Sequence, residues 1–318
     1  MDDVGVLIRL LPQQLINGLT IGAVYALIAL GYTMVYGVLQ LINFAHGELF
    51  MLGAMAAVFL MTAMAFTAPP AFGIVLLVLV VVFIISMAFS AALGVSIERT
   101  AYKPLRTVGR LSPLISALGI SIFLQNATML TVGPAPRFLP NTLLPTAPVE
   151  LFGGLIIQNK QILILVVAAL LMIGLHYLVN YTLFGMAVRA TAEDKDAASL
   201  MGIDIDRVIS MVFIIGPALG AAAGILFGLH YGVVLWNMGF LAGMKAFTAA
   251  VLGGIGNIPG AMLGGLLLGV LETFGAGYLP IITNDAIGPE YKDIFAFLIL
   301  ILVLVFRPMG ILGERVAR

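Results

Sequence analysis

An all-α protein that crosses a membrane several times is the fold class this sequence predicts, and three observations predict it. Of 318 residues, 62% are hydrophobic and only 9% charged, against roughly 45–50% and about 25% in a soluble globular domain. A chain this apolar cannot cover a water-facing surface, so its solvent is lipid. Apolar stretches recur at 12–38, 47–66, 71–97, 112–131, 161–180, 208–229, 240–254, 258–278 and 291–306, separated by polar residues, proline and glycine. None alternates with the period of two that a transmembrane barrel strand needs, whereas a helix satisfies its own backbone hydrogen bonds in lipid. At roughly 20 residues per crossing, the expectation is an all-α polytopic integral membrane protein of about eight to nine transmembrane helices. They form one transmembrane domain over 1–318.

Residues 1–12 open with Asp2 and Asp3 and lack a basic stretch and a small-residue cleavage site, so 12–38 is expected to be a permanent span rather than a signal peptide. Between the first two spans, Ile42-Asn43-Phe44-Ala45-His46-Gly47-Glu48-Leu49 places three polar groups beside a glycine at a helix break. Ionisable groups at membrane depth are costly and face a cavity or one another. One reading makes Asn43, His46, Gly47 and Glu48 a gate or pathway element. The other has them cap the second helix, where Glu48 favours the dipole. A metal site is not expected, because His-x-Glu lacks a third ligand and His176 and His230 lie on distant segments.

Orientation follows from the basic residues, which stay on the cytoplasmic side. Arg99, Lys103, Arg106 and Arg110 follow the third span, Arg189, Lys195 and Arg207 the fifth, and Arg307, Arg315 and Arg318 the last. Placing the amino terminus outside and the carboxy terminus inside puts all ten in the cytoplasm. The 133–160 connection then lies outside; its five prolines, Pro134, Pro136, Pro140, Pro145 and Pro148, predict an irregular loop. The 181–207 connection lies inside. It is proline-free and rich in helix formers, which predicts a short cytoplasmic helix.

Within that loop runs Glu193-Asp194-Lys195-Asp196-Ala197-Ala198-Ser199-Leu200-Met201-Gly202. It reads either as a plain connector or as a knob that enters a cleft of a motor subunit. In the second reading Ala197 and Ala198 permit close approach, Gly202 supplies the turn, and Glu193, Asp194 and Asp196 give polar contacts.

Further on, 240–254 is short and interrupted by glycine, so it is expected to be a short or re-entrant segment. Interrupted half-helices line solute paths in many transporters, which makes Lys245, Thr248, Gly253, Gly254 and Asn257 pathway candidates. Lys245 and Glu272 could equally be a structural ion pair or interfacial groups. Gly253, Gly254, Gly256, Gly260, Gly264, Gly265 and Gly269 stand at small-xxx-small spacing, which permits close helix contact in lipid.

Several functions are excluded or left open by the same residues. There is no G-x-x-x-x-G-K-[ST] run to cradle nucleotide phosphates and no cysteine for disulfides or thiolate metal sites. A formal net charge of zero gives no sign of a nucleic-acid partner. A stand-alone secondary transporter would need a coupling-ion site, which Glu48 or Glu272 could supply. An intramembrane enzyme using His46 and Glu48 would lack a nucleophile or metal set.

In order along the chain, INGLTIGAVYALIALGYTMVYGVLQLINFAHGELFMLGA, SIERTAYKPLR, ATAEDKDAASLMGI, GMKAFTAAVLGGIGNIPGAMLGGLLLG and FRPMGILG together resemble the LivH-type permease of bacterial branched-chain amino acid importers. The segment at 196–202 resembles the E-A-A-x-x-x-G coupling loop of ATP-binding-cassette permeases, with Asp196 in place of the leading glutamate. The resemblance implies transport of leucine, isoleucine and valine across the bacterial inner membrane by alternating access. It implies four partners besides the bilayer: a LivM-type permease as heterodimer partner, two cytoplasmic ATP-binding subunits and a periplasmic amino-acid-binding protein. It implies no cofactor on this chain, with ATP and Mg held by the ATP-binding subunits. A permease for urea, short amides or a sugar is the nearest alternative.

Overall fold

The computed structural model describes residues 3–64, 70–106, 108–109, 111–140, 148–151, 155–307 and 309–313. Arg110, Pro145, Arg315 and Arg318, used above for orientation and loop character, lie outside the described residues. Each of the nine apolar stretches is a helix. In chain order these are α1 (Asp3–Leu39), α2 (His46–Ala63), α3 (Phe72–Ile97), α4 (Leu111–Val132), α5 (Asn159–Tyr181), α8 (Ile205–Tyr231), α9 (Met238–Gly253), α10 (Ile258–Ile282) and α11 (Lys292–Phe306). Two further helices, α6 (Leu183–Glu193) and α7 (Lys195–Leu200), form the 181–207 connection.

Among the described residues seven helices are long and apolar enough to cross a membrane: α1 to α5, α8 and α10. The other two apolar segments make the shorter α9 and α11, of 16 and 15 residues. At about 1.5 Å per residue these reach only about 24 and 22 Å, short of an apolar core of about 30 Å.

The centre of the molecule is α1, which α10, α8, α9, α5 and α6 surround. Small residues make this possible. A Cβ on Gly265 would lie 2.3 Å from Ala26 Cα, and one on Gly269 would lie 2.2 Å from Gly22 Cα. The glycines of α10 are thus spent on backbone-level contact with α1, the packing that substitutes for a hydrophobic drive inside lipid. Gly264 does the same toward α9, where its Cβ would meet Ala249 O at 2.1 Å.

On the other side of α1, α8 packs against α2 and α3. Pro217 lies inside α8. Having no N–H, it leaves the Phe213 carbonyl, four residues back, without its helical donor. Gly94 of α3 lies against that carbonyl, and a Cβ there would stand 2.5 Å from it. After Ile97 the helix continues as a wide π turn over Glu98–Tyr102 and a tighter turn over Lys103–Leu105.

The 133–160 connection, expected to be irregular, carries regular structure. Strand β1 (Arg137–Phe138) pairs antiparallel with β4 (Val233–Val234), which follows α8. A hairpin joins β2 (Pro148–Leu151) and β3 (Leu155–Gln158). Gln13 of α1 ties the hairpin down twice, donating from Nε2 to Ile156 O and accepting from Ile156 N, both at 3.0 Å.

Candidate functional site

The 40–49 break brings polar groups into the helix core. Asn43 Oδ1 accepts from Ala45 N at 3.1 Å and from the Tyr102 hydroxyl at 2.8 Å. The turn entering α2 is therefore closed by Asn43, while Glu48 sits in the first helical turn. Glu48 is fully buried; its Oε1 accepts from Ser121 Oγ of α4 at 3.1 Å, and its Oε2 has no hydrogen-bond partner among the described residues. The His46 ring stands edge-on to Tyr32 with centroids 4.7 Å apart. It fills the space beside Gly31, where a Cβ would fall 2.3 Å from His46 Nε2. Gly47 meets α9 at backbone distance, since its Cβ would lie 2.3 Å from Gly239 O. Both the capping and the pathway expectations thus describe one place, a tightly packed seam between α2 and the start of α9.

The remaining pathway candidates divide between two other places. Lys245 is buried and forms ion pairs with Glu272 of α10 at 2.9 Å and Asp293 of α11 at 2.6 Å. Lys292 adds a longer contact to Glu272 at 3.4 Å, and the Tyr25 hydroxyl of α1 lies 3.4 Å from Lys245 Nζ. Of the two structural readings of Lys245 and Glu272, the ion pair is the one observed. Thr248 is buried and donates to Met244 O of its own helix at 2.9 Å. Gly253, Gly254 and Asn257 form the turn from α9 to α10. There Asn257 caps α10 by accepting from Gly260 N at 2.8 Å. The segment after α11 folds back over this turn, with Ile311 N and Leu312 N donating to Leu252 O and Gly253 O at 2.9 Å each.

None of these nine residues lines the cavity of about 450 Å³ found between the helices. That cavity lies where the start of α1, the starts of α5 and α11 and the ends of α8 and α10 converge. Its walls include Gln14, Asn17, Lys160, Gln161, Glu272 and Lys292. Sequence reasoning singled out Glu272 but missed the amides and the two lysines, because they come from three separate helices, α1, α5 and α11.

The 181–207 connection holds two helices rather than the single one expected. Asp194 breaks them apart and caps α7, its Oδ1 accepting from Asp196 N at 2.9 Å and Ala197 N at 3.0 Å. At the far end Gly202, at φ +86°, lets Ile203 N reach Ala198 O at 3.1 Å and Gly202 N reach Ser199 O at 3.0 Å. This paired closure is a helix stop that glycine's left-handed conformation permits. Glu193, Asp194, Asp196 and Ala197 are exposed, whereas Ala198 faces inward against the protein. Leu200 and Met201, which sequence reasoning passed over, are 89% and 84% exposed at the tip. Two large apolar side chains on a polar knob were the available signal.

Behind the knob, an ionic cluster fixes the start of α8 to the end of α3. Glu98, 1% exposed, accepts from Arg106, and through Oε2 from Ser210 Oγ at 3.1 Å. Asp206 pairs with Lys103 at 2.7 Å and with Arg106 at 2.8 Å.

The comparison with known proteins decides what this architecture is. Residues 14–304 match the model of the family described as branched-chain amino acid transport system / permease component. The chain belongs to this family. It is 52% identical over 308 residues to the high-affinity branched-chain amino acid transport system permease protein BraD of Pseudomonas aeruginosa, covering 95% of each chain. It is 48% identical over 307 residues to LivH of Salmonella typhimurium and 47% identical over 305 residues to LivH of Escherichia coli K12, again covering 95% of each. No solved structure matches it. The permease is thus a multi-pass membrane protein whose relatives are transport subunits rather than enzymes.

Proposed function

We propose that the chain is the permease subunit of an ATP-driven importer that moves leucine, isoleucine and valine across the bacterial inner membrane. The observation that carries this reading is the 47–52% identity to branched-chain amino acid permeases over 95% of the chain. The alternative substrates (urea, short amides or a sugar) and a stand-alone transporter are not favoured by that likeness.

In this reading a second, LivM-type permease pairs with the chain, and two ATP-binding subunits, carrying ATP and Mg, dock on the cytoplasmic loop. Leu200 and Met201 enter a cleft of the motor, and Glu193, Asp194 and Asp196 rim the contact. A periplasmic binding protein delivers the amino acid at the opposite end. Motor closure displaces α7, and the ion-paired starts of α8 and ends of α3 carry that displacement to the seam at Asn43–Glu48. The pathway opens along the seam and along Lys245, Thr248 and the Gly253–Asn257 turn. Lys103, Arg106 and Lys195 share the knob's end of the molecule, which supports a cytoplasmic placement there.

Extraction in mild detergent followed by intact-mass analysis tests the assembly. Two nucleotide-binding subunits and one second permease are expected with the chain. Recovery of a stable, monodisperse chain alone, carrying leucine on a proton gradient, contradicts the proposal.

A further inference from the structure

The wall of the cavity is rich in hydrogen-bond donors and poor in free acceptors. Three of its side-chain amide oxygens already accept from within the protein. Asn17 Oδ1 accepts from Gln13 at 3.2 Å and from Gln161 at 2.9 Å, Gln161 Oε1 accepts from Gln158 N at 2.9 Å, and the Gln158 side chain accepts from the first turn of α5. The fourth amide, Gln14, lies over Gly277, where a Cβ would stand 2.3 Å from its Nε2, and it has no hydrogen-bond partner among the described residues. Lys160 Nζ donates to His230 O at 3.0 Å, which leaves two of its three donors. Lys292 Nζ is 3.4 Å from Glu272 Oε1, too far for a strong hydrogen bond. Glu272, the one carboxylate in the wall, offers nothing to a guest: Oε1 faces Lys245 and Lys292, and Oε2 is sealed from solvent.

The charges give the same sign. Lys245, Lys292, Glu272 and Asp293 form a network of two positive and two negative groups, which is neutral as a whole. Lys160 pairs with no carboxylate among the described residues, so the cavity carries one surplus positive charge. A guest with a single negative charge balances it, and charge-assisted hydrogen bonds to an oxyanion are the strong ones. Ile21, Tyr231 and Ala276 add apolar surface, and the volume of about 450 Å³ far exceeds that of a halide ion. A short aliphatic tail covers that surface. An ammonium on the guest would find no free acceptor here, and an unpaired charge is costly to bury.

We propose that this cavity is a binding site for a small aliphatic monocarboxylate, held by Lys160 and Lys292 with the Gln14 amide as a further donor. None of the residues assigned to passage lines the cavity. The site is therefore additional to the importer reading and stands or falls without it.

The test is thermal unfolding of the detergent-purified membrane protein, titrated with sodium 4-methylpentanoate at constant ionic strength. A ligand that binds the native state raises its unfolding temperature by mass action. Three controls run alongside: sodium chloride, the neutral 4-methylpentanamide, and leucine as competitor. The carboxylate is expected to give a saturable rise and the chloride and the amide none, while an equal concentration of leucine leaves the half-saturating carboxylate concentration unchanged. Lys160→Gln should raise that concentration about tenfold or more, the effect of losing a charge-assisted hydrogen bond, and Gln14→Leu about fivefold; Lys160→Arg should restore binding in part. No rise with the carboxylate, an equal rise with chloride or the amide, or competition by leucine at equal strength overturns the monocarboxylate site without relying on any variant. An undiminished response in Lys160→Gln overturns the role of that lysine.

Discussion

The hydroxyl of Tyr102 donates a 2.8 Å hydrogen bond to the same Asn43 oxygen that closes the turn into α2. A residue on the π turn at the end of α3 thereby holds the break that places His46 and Glu48 in the core. Glu98 and Arg106, flanking Tyr102, tie that same turn to the start of α8, which follows α7. The α6–α7 segment runs directly into α8, and α8, the π turn and the seam are then linked in turn by specific bonds rather than by general packing alone.

Replacing Tyr102 by Phe keeps the ring and removes one donor to a buried acceptor. The expected cost is about 1 kcal/mol, read as a lowered unfolding temperature of the detergent-purified assembly. Uptake should fall further than stability does, because the substitution loosens the bond between α3 and the seam. An uptake rate equal to that of the unaltered chain would show that this bond does not transmit motion.

Arg106→Gln leaves Glu98 buried without its cation. Breaking a buried pair from one side costs about 3–5 kcal/mol, so poor recovery of folded protein is expected. Exchanging both partners for apolar residues, Glu98→Leu with Arg106→Met, should recover much of that loss, because no uncompensated charge remains. A double variant less stable than Arg106→Gln would show that the links of this cluster to Asp206 and Ser210 outweigh the cost of the unpaired Glu98.

Lys245→Met removes the cation between Glu272 and Asp293, which belong to α10 and α11. A loss of similar size, about 3–5 kcal/mol, is expected. Limited proteolysis should show early cleavage around 283–291, where α11 is no longer held to α9 and α10.

Gly265→Val and Gly202→Leu separate packing from coupling. A side chain on Gly265 collides with the α1 backbone, so the variant should not accumulate in membranes. Gly202 faces open space but at φ +86°, where a side chain costs about 1–2 kcal/mol. It should reach normal membrane levels and lose ATP-driven uptake.

Much of the architecture was legible because helices in lipid announce themselves locally. Each apolar run between Val24 and Leu302 became a helix, and the glycine ridge at 253–269 packed where small-xxx-small spacing implied. The pairing of 148–151 with 155–158 was hidden because the prolines up to Pro148 marked the whole connection as irregular, and because Gln13, which ties it down, lies more than 130 residues earlier. At the site, Lys245 and Glu272 stood out as ionisable groups in apolar surroundings. Asp293 did not, because with Lys292 it opens α11 directly after the polar 283–291 connection, where charged residues are ordinary. The cavity escaped notice for the same kind of reason: Gln14, Lys160 and Lys292 are ordinary polar residues at helix starts until the fold brings those ends together. The exposed pair Leu200 and Met201 was concealed by reading the 193–202 segment for its acidic and small residues.

The most direct test of the account is uptake of labelled leucine by liposomes holding the complete assembly, comparing the unaltered chain with Leu200→Ser/Met201→Ser. Both side chains lie on the surface, so stability should change by no more than about 0.5 kcal/mol. The account predicts ATP-dependent uptake by the unaltered assembly and at least a tenfold loss in the double variant at equal protein level. Uptake that ignores ATP, follows an imposed proton gradient and survives the substitution would contradict it.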